Sequence, residues 1–288
     1  MRAAATEPLR VASHLAPGVE PLYAFLAGYL AECVGRLAEF TVAESYERCA
    51  QDVDDVCFVC SIPYLLFADD GRIDMEVIAA PVLRGERYGG RPIYFSDVIV
   101  AAQSRYRSFA DLRGARWAFN EPFSHSGYMT VLHHLATLGE DLGYFSEMVE
   151  TGFHQDAIRM VADGRVDASA IDSQVLDIEL RDDPELAVRL RRIGTIGPST
   201  IQPVVASRSR LIDTERRIIT DALLAVADVP AARPLLEAAM VERFVPLSGA
   251  AYDDIREMFG RVRRAGLLDA AWDARWQATI TGARAATT

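Results

Sequence analysis

Short apolar segments that alternate with amphipathic segments are the feature of this sequence that most restricts its fold. Strands are predicted near residues 9–15, 40–43, 55–59, 75–82, 94–101, 116–119, 148–151, 166–171, 188–196 and 204–206. Between most of them, apolar residues recur at helical spacing. Strands that alternate with helices predict an α/β fold with mostly parallel sheets. Residues 197–203 are expected to form a loop, and the chain after residue 206 is expected to be helical to about residue 278.

One stretch, residues 116–128, combines three of these local signals. A short buried strand is predicted at 116–119, and the polar residues 120–122 end it. Apolar residues from Tyr128 to Leu138 then follow at helical spacing, and Gly139 is the expected helix stop. The first N–H groups of a helix have no acceptor within it, so this start, with two hydroxyls and Gly127 beside it, suits an anion. The alternative is that Ser124 is an N-cap and nothing more.

Composition excludes several classes of protein. With 288 residues, half of them apolar, the chain can bury one or two cores and is too apolar for intrinsic disorder. Its formal net charge of −11 argues against nucleic acids and anionic membranes as partners. No apolar run reaches membrane-spanning length. Every basic residue is arginine, which excludes an imine-forming lysine and pyridoxal phosphate, and we expect no cofactor.

The N-terminus and the cysteines bear on the compartment. Residues 1–8 lack the apolar core of a secretory signal, so the sequence as given predicts a cytoplasmic protein, or a periplasmic one whose leader has been removed. Cys57 and Cys60 have C-x-x-C spacing but lie on a predicted strand, where alternation puts them on opposite faces. With Cys33 and Cys49, they are interpreted as reduced, mostly buried thiols, and no metal site is expected.

Polar or aromatic side chains lie near the ends of several predicted strands. They are Ser13, Tyr46, Ser61, Tyr94, Ser124, His154, Asp172 and Gln202. Ligands of open α/β sheets bind beyond the carboxyl ends of strands, so together these residues indicate a ligand site. Structural roles are the alternative. Ser61, with Pro63 in the first turn, and Asp172 are placed to cap helices, and the tyrosines could pack half-buried.

Four segments resemble, in order and spacing, the phosphate-, phosphite- and phosphonate-binding proteins of ABC transporters: residues 94–100, 120–128, 152–154 and 164–172. Residues 108–116 are similar to the S-x-x-D-L-x-G-x-x start of the second lobe in type II periplasmic binding proteins. The resemblance covers about residues 9–225 and is specific in the middle third of the chain. The usual signal peptide is missing, as in a soluble subgroup of the family.

The resemblance implies a two-lobed α/β fold of type II periplasmic binding proteins, with mixed sheets flanked by helices and the ligand in a cleft between the lobes. We expect residues 1–101 and 203–288 to form one lobe, the second part being a helical C-terminus, and residues 102–202 to form the other. Closure of such lobes is a hinge motion over the connecting segments.

The resemblance also implies roles for individual residues. Ser124, His125 and Ser126 stand where the family's Ser-Thr-Ser run grips phosphonate oxygens with hydroxyls and helix N–H groups. His154 matches an oxyanion-binding histidine, and Tyr94 and Tyr46 match tyrosines of the cleft. The expected ligand-binding residues are therefore Tyr46, Ser61, Tyr94, Ser124, His125, Ser126, His154, Asp172, Gln174 and Gln202.

Two departures from the family pattern bear on the ligand. Aminoalkylphosphonate binders hold the substrate ammonium with carboxylates, where this chain has the neutral amides of Gln174 and Gln202. His125 replaces a small hydroxyl residue and would crowd the anion pocket. A buried ammonium is rarely left unpaired, and Asp172 is better placed as a helix cap than as its partner. We expect a phosphonate- or phosphate-like ligand, or a carboxylate or sulfonate, with a neutral distal part or none.

Two further classes of function stay open. A cytosolic lyase or biosynthetic enzyme on the same fold would act on a small carboxylate or phosphorylated substrate, with His125, His154 and Asp172 in proton transfer. Against it, the sequence has no nucleophile–base motif and no metal-ligand spacing. A ligand sensor that feeds a partner protein would use the same cleft. For the transport function, the expected partners are the small anionic ligand and an ABC permease.

Overall fold

The structure, a computed structural model, describes residues 7–15, 17–71 and 73–282. Residues 1–6, which belong to the segment interpreted as lacking an export signal, lie outside these ranges. The strands are β1 (Leu9–Ser13), β2 (Ala38–Val42), β3 (Val56–Phe58), β4 (Met75–Leu83), β5 (Ile93–Ala101), β6 (Arg116–Phe119), β7 (Glu147–Glu150), β8 (Ala168–Asp172), β9 (Leu190–Thr200), β10 (Val204–Ser207) and β11 (Val241–Val245).

The helices are α1 (Glu20–Cys33), α2 (Glu47–Ala50), α3 (Ser61–Asp70), α4 (Thr130–Leu138), α5 (His154–Ala162), α6 (Ser173–Asp182), α7 (Pro184–Arg189), α8 (Asp213–Ala225), α9 (Arg233–Ala238), α10 (Asp253–Arg264) and α11 (Ala270–Thr281).

The chain divides into two units. The first comprises Met1–Pro92, Ile201–Asp253 and Asp273–Thr288, and the second comprises Ile93–Thr200 and Asp254–Trp272.

The sheet of the first unit has six strands in the order β11-β4-β10-β3-β1-β2. β1 is parallel to β2 and β3, while β10 and β11 run antiparallel to their neighbours. Parallel strands need a crossover, which α1 supplies between β1 and β2. Leu22, Leu26 and Leu30 recur at four-residue spacing on α1 and are buried, and α1 contacts both strands. Apolar burial on this face therefore fixes the helix against the sheet.

The sheet of the second unit has five strands in the order β7-β6-β8-β5-β9. β6 is parallel to β7 and β8, whereas β5 is antiparallel to β8 and β9. Trp117 in β6 and Leu132 and Leu135 on α4 are fully buried in this unit. The strand–helix order β6, α4, β7, α5, β8, α6 puts the start of each helix directly beyond the carboxyl end of a parallel strand.

The structure corrects three expectations about elements. Residues 241–245 form β11 and not helix, because they pair with β4 from a distant part of the chain. Residues 197–200, expected in a loop, continue β9 and pair with β5, where Ser199 lies opposite Tyr94. The sheets are mixed, as the resemblance implied, and not mostly parallel, as the strand–helix alternation alone suggested.

The boundaries of the two units differ from the ones expected for the lobes. The second lobe was expected to begin at residue 102, whereas the second unit begins at Ile93 because β5 pairs with β8 and β9. The helical C-terminus was expected in the first lobe, whereas residues Asp254–Trp272 belong to the second unit.

A buried carboxylate holds three segments of the first unit together. Asp55 is 1% exposed and accepts the backbone N–H of Arg10 at 2.8 Å. Its two oxygens also pair with the guanidinium groups of Arg36, at 3.1 Å, and Arg210, at 3.0 Å. A charge in this position needs such partners, because removing it from water costs several kcal/mol.

We predict that Asp55→Ala lowers the free energy of unfolding by about 3–5 kcal/mol, because Arg36 and Arg210 lose a buried counter-charge. Urea denaturation followed by circular dichroism measures the change. Asp182→Ala is the control, since that carboxylate is 59% exposed in its pair with Arg181, and exposed pairs are worth at most about 1 kcal/mol. Equal losses in the two variants would contradict the prediction.

Candidate functional site

One edge of the sheet in the second unit carries the polar residues that were expected near the strand ends of this unit. Because β6, β7 and β8 are parallel, their carboxyl ends lie at one edge. Ser124–Ser126 follow β6, His154 follows β7, and Asp172 is the last residue of β8. β5 runs the other way with Ser96 opposite Asp172, which places Tyr94 at the same edge. Loops beyond the carboxyl ends of parallel strands are where α/β proteins bind ligands.

A π-helical turn, His125–Met129, leads into α4. Ser124 precedes it with extended backbone, and its Oγ accepts the N–H of Gly127 at 3.1 Å. The interpretation of Ser124 as an N-cap is therefore confirmed. Thr130 Oγ1 lies 2.9 Å from the Ser126 carbonyl oxygen and 3.0 Å from Ser96 Oγ, which ties the turn to β5. π-Turns of this kind occur frequently at functional sites.

Ser126 and His154 join the starts of two helices. Ser126 Oγ lies 3.1 Å from His154 Nε2, and both side chains are at least 95% buried. His154 is the first residue of α5, after the N-cap Phe153. Within the described part of the chain, His154 Nδ1 is buried without a hydrogen-bond partner. A buried nitrogen of this kind is costly unless something else, such as a ligand, meets it.

Gly127 is required by the close approach of two side chains. A Cβ atom at this position would lie 2.0 Å from Asn120 Oδ1 and 2.9 Å from His154 Cε1. Any other residue would therefore push Asn120 or His154 away from the turn. Asn120 Oδ1 is also buried and lacks a hydrogen-bond partner among the residues that the structure describes. Asn120 was expected to help end β6 and to open a segment of the family resemblance, but no role in packing was expected for it; Gly127 was the available signal for close packing.

The two histidines of this edge are held neutral. Burial lowers the pKa of His125 to about 3, with a smaller contribution from the charge of His133. Burial alone lowers the pKa of His154 to about 3. The ring of Tyr94 lies 6.1 Å from that of His125, at an angle of 44°. At neutral pH the site therefore offers neutral hydrogen-bonding groups and helix N–H groups, and no imidazolium charge.

Asp172 caps α6. Its Oδ1 accepts the N–H groups of Gln174 at 2.8 Å and Val175 at 3.4 Å, which confirms the capping interpretation. The Gln174 side chain is buried in the first turn of this helix. Ser173 Oγ accepts the N–H of Phe95, so the start of α6 is fastened to β5 beside Tyr94.

The first unit places its expected residues at one edge of its own sheet. Tyr46 follows β2 and Ser61 follows β3, two strands parallel to β1, and Gln202 precedes the antiparallel β10. Tyr46 is buried, with its ring stacked on His14 at 5.3 Å and tilted against Trp276 at 5.8 Å.

The capping role expected for Ser61 is wrong. The N-cap of α3 is Cys60, whose backbone is extended, and Ser61 is already the first helical residue. Its hydroxyl is buried and has no hydrogen-bond partner in the described ranges. The error is a shift of one residue, because a serine at the N-cap and a serine next to it predict the same helix start from sequence.

We predict that the buried histidines make the fold sensitive to acid. Their folded-state pKa values lie below the unfolded value of about 6.5, so below that pH the unfolded chain takes up protons that the folded chain does not. Their stabilisation is complete above about pH 6.5 and is lost as the pH falls toward 3, by up to about 1.4 kcal/mol per pH unit for each histidine.

The double variant His125→Asn/His154→Asn should therefore show a shallower dependence of unfolding free energy on pH than the wild type. Urea denaturation between about pH 4.5 and 6.5 measures both slopes. His133→Asn, at a half-buried position, should change the slope less. Parallel slopes in the wild type and the double variant would show that these histidines are protonated in the folded state.

Solved structures resemble the whole chain. A binding protein component of an ABC phosphonate transporter from Pseudomonas aeruginosa has a TM-score of 0.78 at 17% identity, covering 96% of each chain. PhnD1 from Prochlorococcus marinus, in complex with methylphosphonate, has a TM-score of 0.78 at 16% identity, covering 89% of this chain and 98% of that one. The alkanesulfonate-binding protein from Xanthomonas axonopodis pv. citri, bound to MOPS, has a TM-score of 0.59 at 19% identity, covering 93% and 96%.

Two mixed sheets flanked by helices, with these likenesses, define the fold as that of type II periplasmic binding proteins. The family of periplasmic substrate-binding proteins of phosphonate ABC transporters matches residues 12–252. The chain therefore belongs to this family, and its function is the binding of a small-molecule substrate. In the described part of the chain, no helix combines the length and apolarity needed to cross a membrane.

Proposed function

We propose that the second unit binds a small oxyanion at the π-turn before α4, through the N–H groups of His125 and Ser126 and the hydroxyls of Ser124 and Ser126, with His154 beside them. The N–H of Ser124 itself donates to the Glu121 carbonyl at 3.2 Å. The observation that carries this proposal is the buried hydrogen bond between Ser126 and His154, which joins the starts of two helices where His154 approaches Gly127 closely. Helix starts present N–H groups and the positive end of the helix dipole to an anion.

The neutral histidines support a site that works by hydrogen bonds. A neutral imidazole carries one N–H and one acceptor nitrogen. If His154 Nε2 carries the proton and donates it to Ser126 Oγ, the hydroxyl proton of Ser126 can be donated to an anionic oxygen. A hydrogen bond to a charged acceptor contributes about 1.5–3 kcal/mol, so a few such donors suffice for tight binding.

The comparisons support a tetrahedral ligand. One similar protein is described in complex with methylphosphonate and another is described as binding alkanesulfonates. Phosphonate, phosphate and sulfonate present three or more oxygens that could share the donors of the turn, and a carboxylate presents two. The family description also supports a periplasmic location and an ABC permease as partner.

The remaining expected contacts are Tyr94, Asp172 and Gln174 in the second unit and Tyr46, Ser61 and Gln202 in the first. Of these, Asp172 has the only carboxylate, and one of its oxygens caps α6. Amides bring no charge, and tyrosine faces add only about 0.5–2 kcal/mol for a cation. We therefore propose a ligand whose distal part is neutral or absent.

Ligand ranking tests this proposal. We predict that phosphate, phosphite, methylphosphonate or a small aromatic carboxylate raises the unfolding temperature more than 2-aminoethylphosphonate does, because the ammonium of the latter would lose hydration without a free counter-charge. Thermal-shift screening followed by calorimetry gives the order. A clear preference for the aminophosphonate would contradict the prediction and would implicate Asp172 as its partner.

We predict that Ser126→Ala lowers affinity for the best ligand of that screen by about 10- to 100-fold, because a hydrogen bond to an anion is lost. Ser169→Ala is the matched control: Ser169 is fully buried in the same unit and donates to the Ala118 carbonyl at 2.9 Å, away from the turn. The control should lose stability and keep its affinity. Ser124→Ala is less informative, since it also removes an N-cap.

The enzyme alternative receives little support from the histidines. A general base is most effective when its pKa is near the working pH, and the pKa values of His125 and His154 lie near 3. Binding without turnover is the expected result for every compound in the screen. If liquid chromatography detected a product, the enzyme function would be favoured over binding alone.

A further inference from the structure

Three side chains outside the anion site bring soft metal-ligand atoms together in the first unit. They are His14, directly after β1, Cys49 in α2 and Cys57 in β3. One ligand atom from each lies within 4.8 Å of the others, and the two sulfurs are 3.9 Å apart. Both cysteines are almost completely buried, while His14 is half-buried and gives solvent access.

The distance between the sulfurs matches shared coordination of one ion. Zn–S bonds are about 2.3 Å long, so two thiolates on a tetrahedral Zn²⁺ lie about 3.8 Å apart. Two sulfurs and an imidazole are also the donors that Zn²⁺ prefers, and three protein ligands with one open position is an established zinc geometry. We propose that His14, Cys49 and Cys57 bind one Zn²⁺ ion, with a solvent molecule as its fourth ligand.

Metal binding also accounts for the charge of the two thiols. The ion displaces the protons of Cys49 and Cys57, which leave to solvent, and two thiolates then balance the two positive charges of Zn²⁺.

The histidine is held in place for such a role. His14 stacks on Tyr46 with ring centroids 5.3 Å apart and an interplanar angle of 16°. Its Nε2 is buried and has no hydrogen-bond partner among residues 7–15, 17–71 and 73–282. An imidazole with a buried, unsatisfied nitrogen beside two thiols is explained by a ligand that supplies the missing interaction.

The site would cross-link three separate segments. Cys57 lies in the centre of the sheet, opposite Ala12 in β1 and Val205 in β10, whereas Cys49 lies in the short helix α2, three residues after Tyr46. Metal binding would therefore fix α2 and the Tyr46 segment to the sheet. This proposal is independent of anion binding, which is assigned to the second unit.

Cobalt is the probe for the test. The full chain is reduced with a phosphine, freed of reductant and titrated with Co²⁺ in phosphate-free buffer. We expect one equivalent to give intense thiolate-to-cobalt charge-transfer absorption, and Zn²⁺ to remove it by displacement. Zn²⁺ should also raise the unfolding temperature, because it binds the folded state. A reduced wild-type protein that gives no charge-transfer absorption overturns the proposal.

Variants assign the ligands. Cys49→Ser and Cys57→Ser should each weaken Co²⁺ binding by at least about a hundredfold and abolish or halve the charge-transfer intensity. The matched controls are Cys33→Ser, at an exposed thiol, and Cys60→Ser, at a buried one. Both should bind Co²⁺ as the wild type does. Loss of binding in either control, or its survival in Cys49→Ser and Cys57→Ser, overturns the assignment.

His14→Asn covers the case in which a cysteine variant fails to fold. The side chain is half-buried after the end of β1, so circular dichroism should show a folded protein. We expect weaker Co²⁺ binding with the charge-transfer bands retained, because both thiolates remain. Unchanged affinity in this variant would remove His14 from the site and overturn the three-ligand proposal.

Discussion

The candidate anion site depends on one close contact. At Gly127 the backbone of the π-turn comes so near to Asn120 and His154 that even a methyl group would collide with them. This contact brings the start of α5 against the turn that precedes α4, and so sets the 3.1 Å separation of Ser126 Oγ and His154 Nε2. The starts of two helices thus lie beside each other at this point.

Local signals predicted the elements around this contact. The strand before the turn, Ser124 as N-cap, Gly139 as helix stop and Asp172 as the cap of α6 each depend on a few neighbouring residues, and the structure has all four. The features that were missed depend on distant residues. β11 forms because residues 241–245 pair with β4, and β9 continues through residues 197–200 because these residues pair with β5.

The site itself was predictable in part. Parallel strands made it possible to place the polar residues at strand ends, since the carboxyl ends of β6, β7 and β8 share an edge. The depth of burial was not predictable from sequence. It makes His125 and His154 neutral groups with pKa values near 3, and it leaves Asn120 Oδ1 inside the protein. In the proposed site, the number and direction of hydrogen bonds would then select among ligands, because hydrogen-bond geometry distinguishes anions of equal charge.

The cysteines show how strand alternation and topology act together. Cys57 lies in β3 as expected, whereas Cys60 lies beyond the strand as the N-cap of α3, and alternation could not supply the partner that Cys57 has. That partner, Cys49, comes from α2, and His14 comes from the end of β1 because β1 and β3 are adjacent and parallel. A parallel pair brings residues that follow one strand next to residues of the other, whatever their separation in sequence. The rule that places the candidate anion-binding groups at one sheet edge thus also brings the imidazole that follows β1 close to the thiol of Cys57 in the neighbouring strand β3.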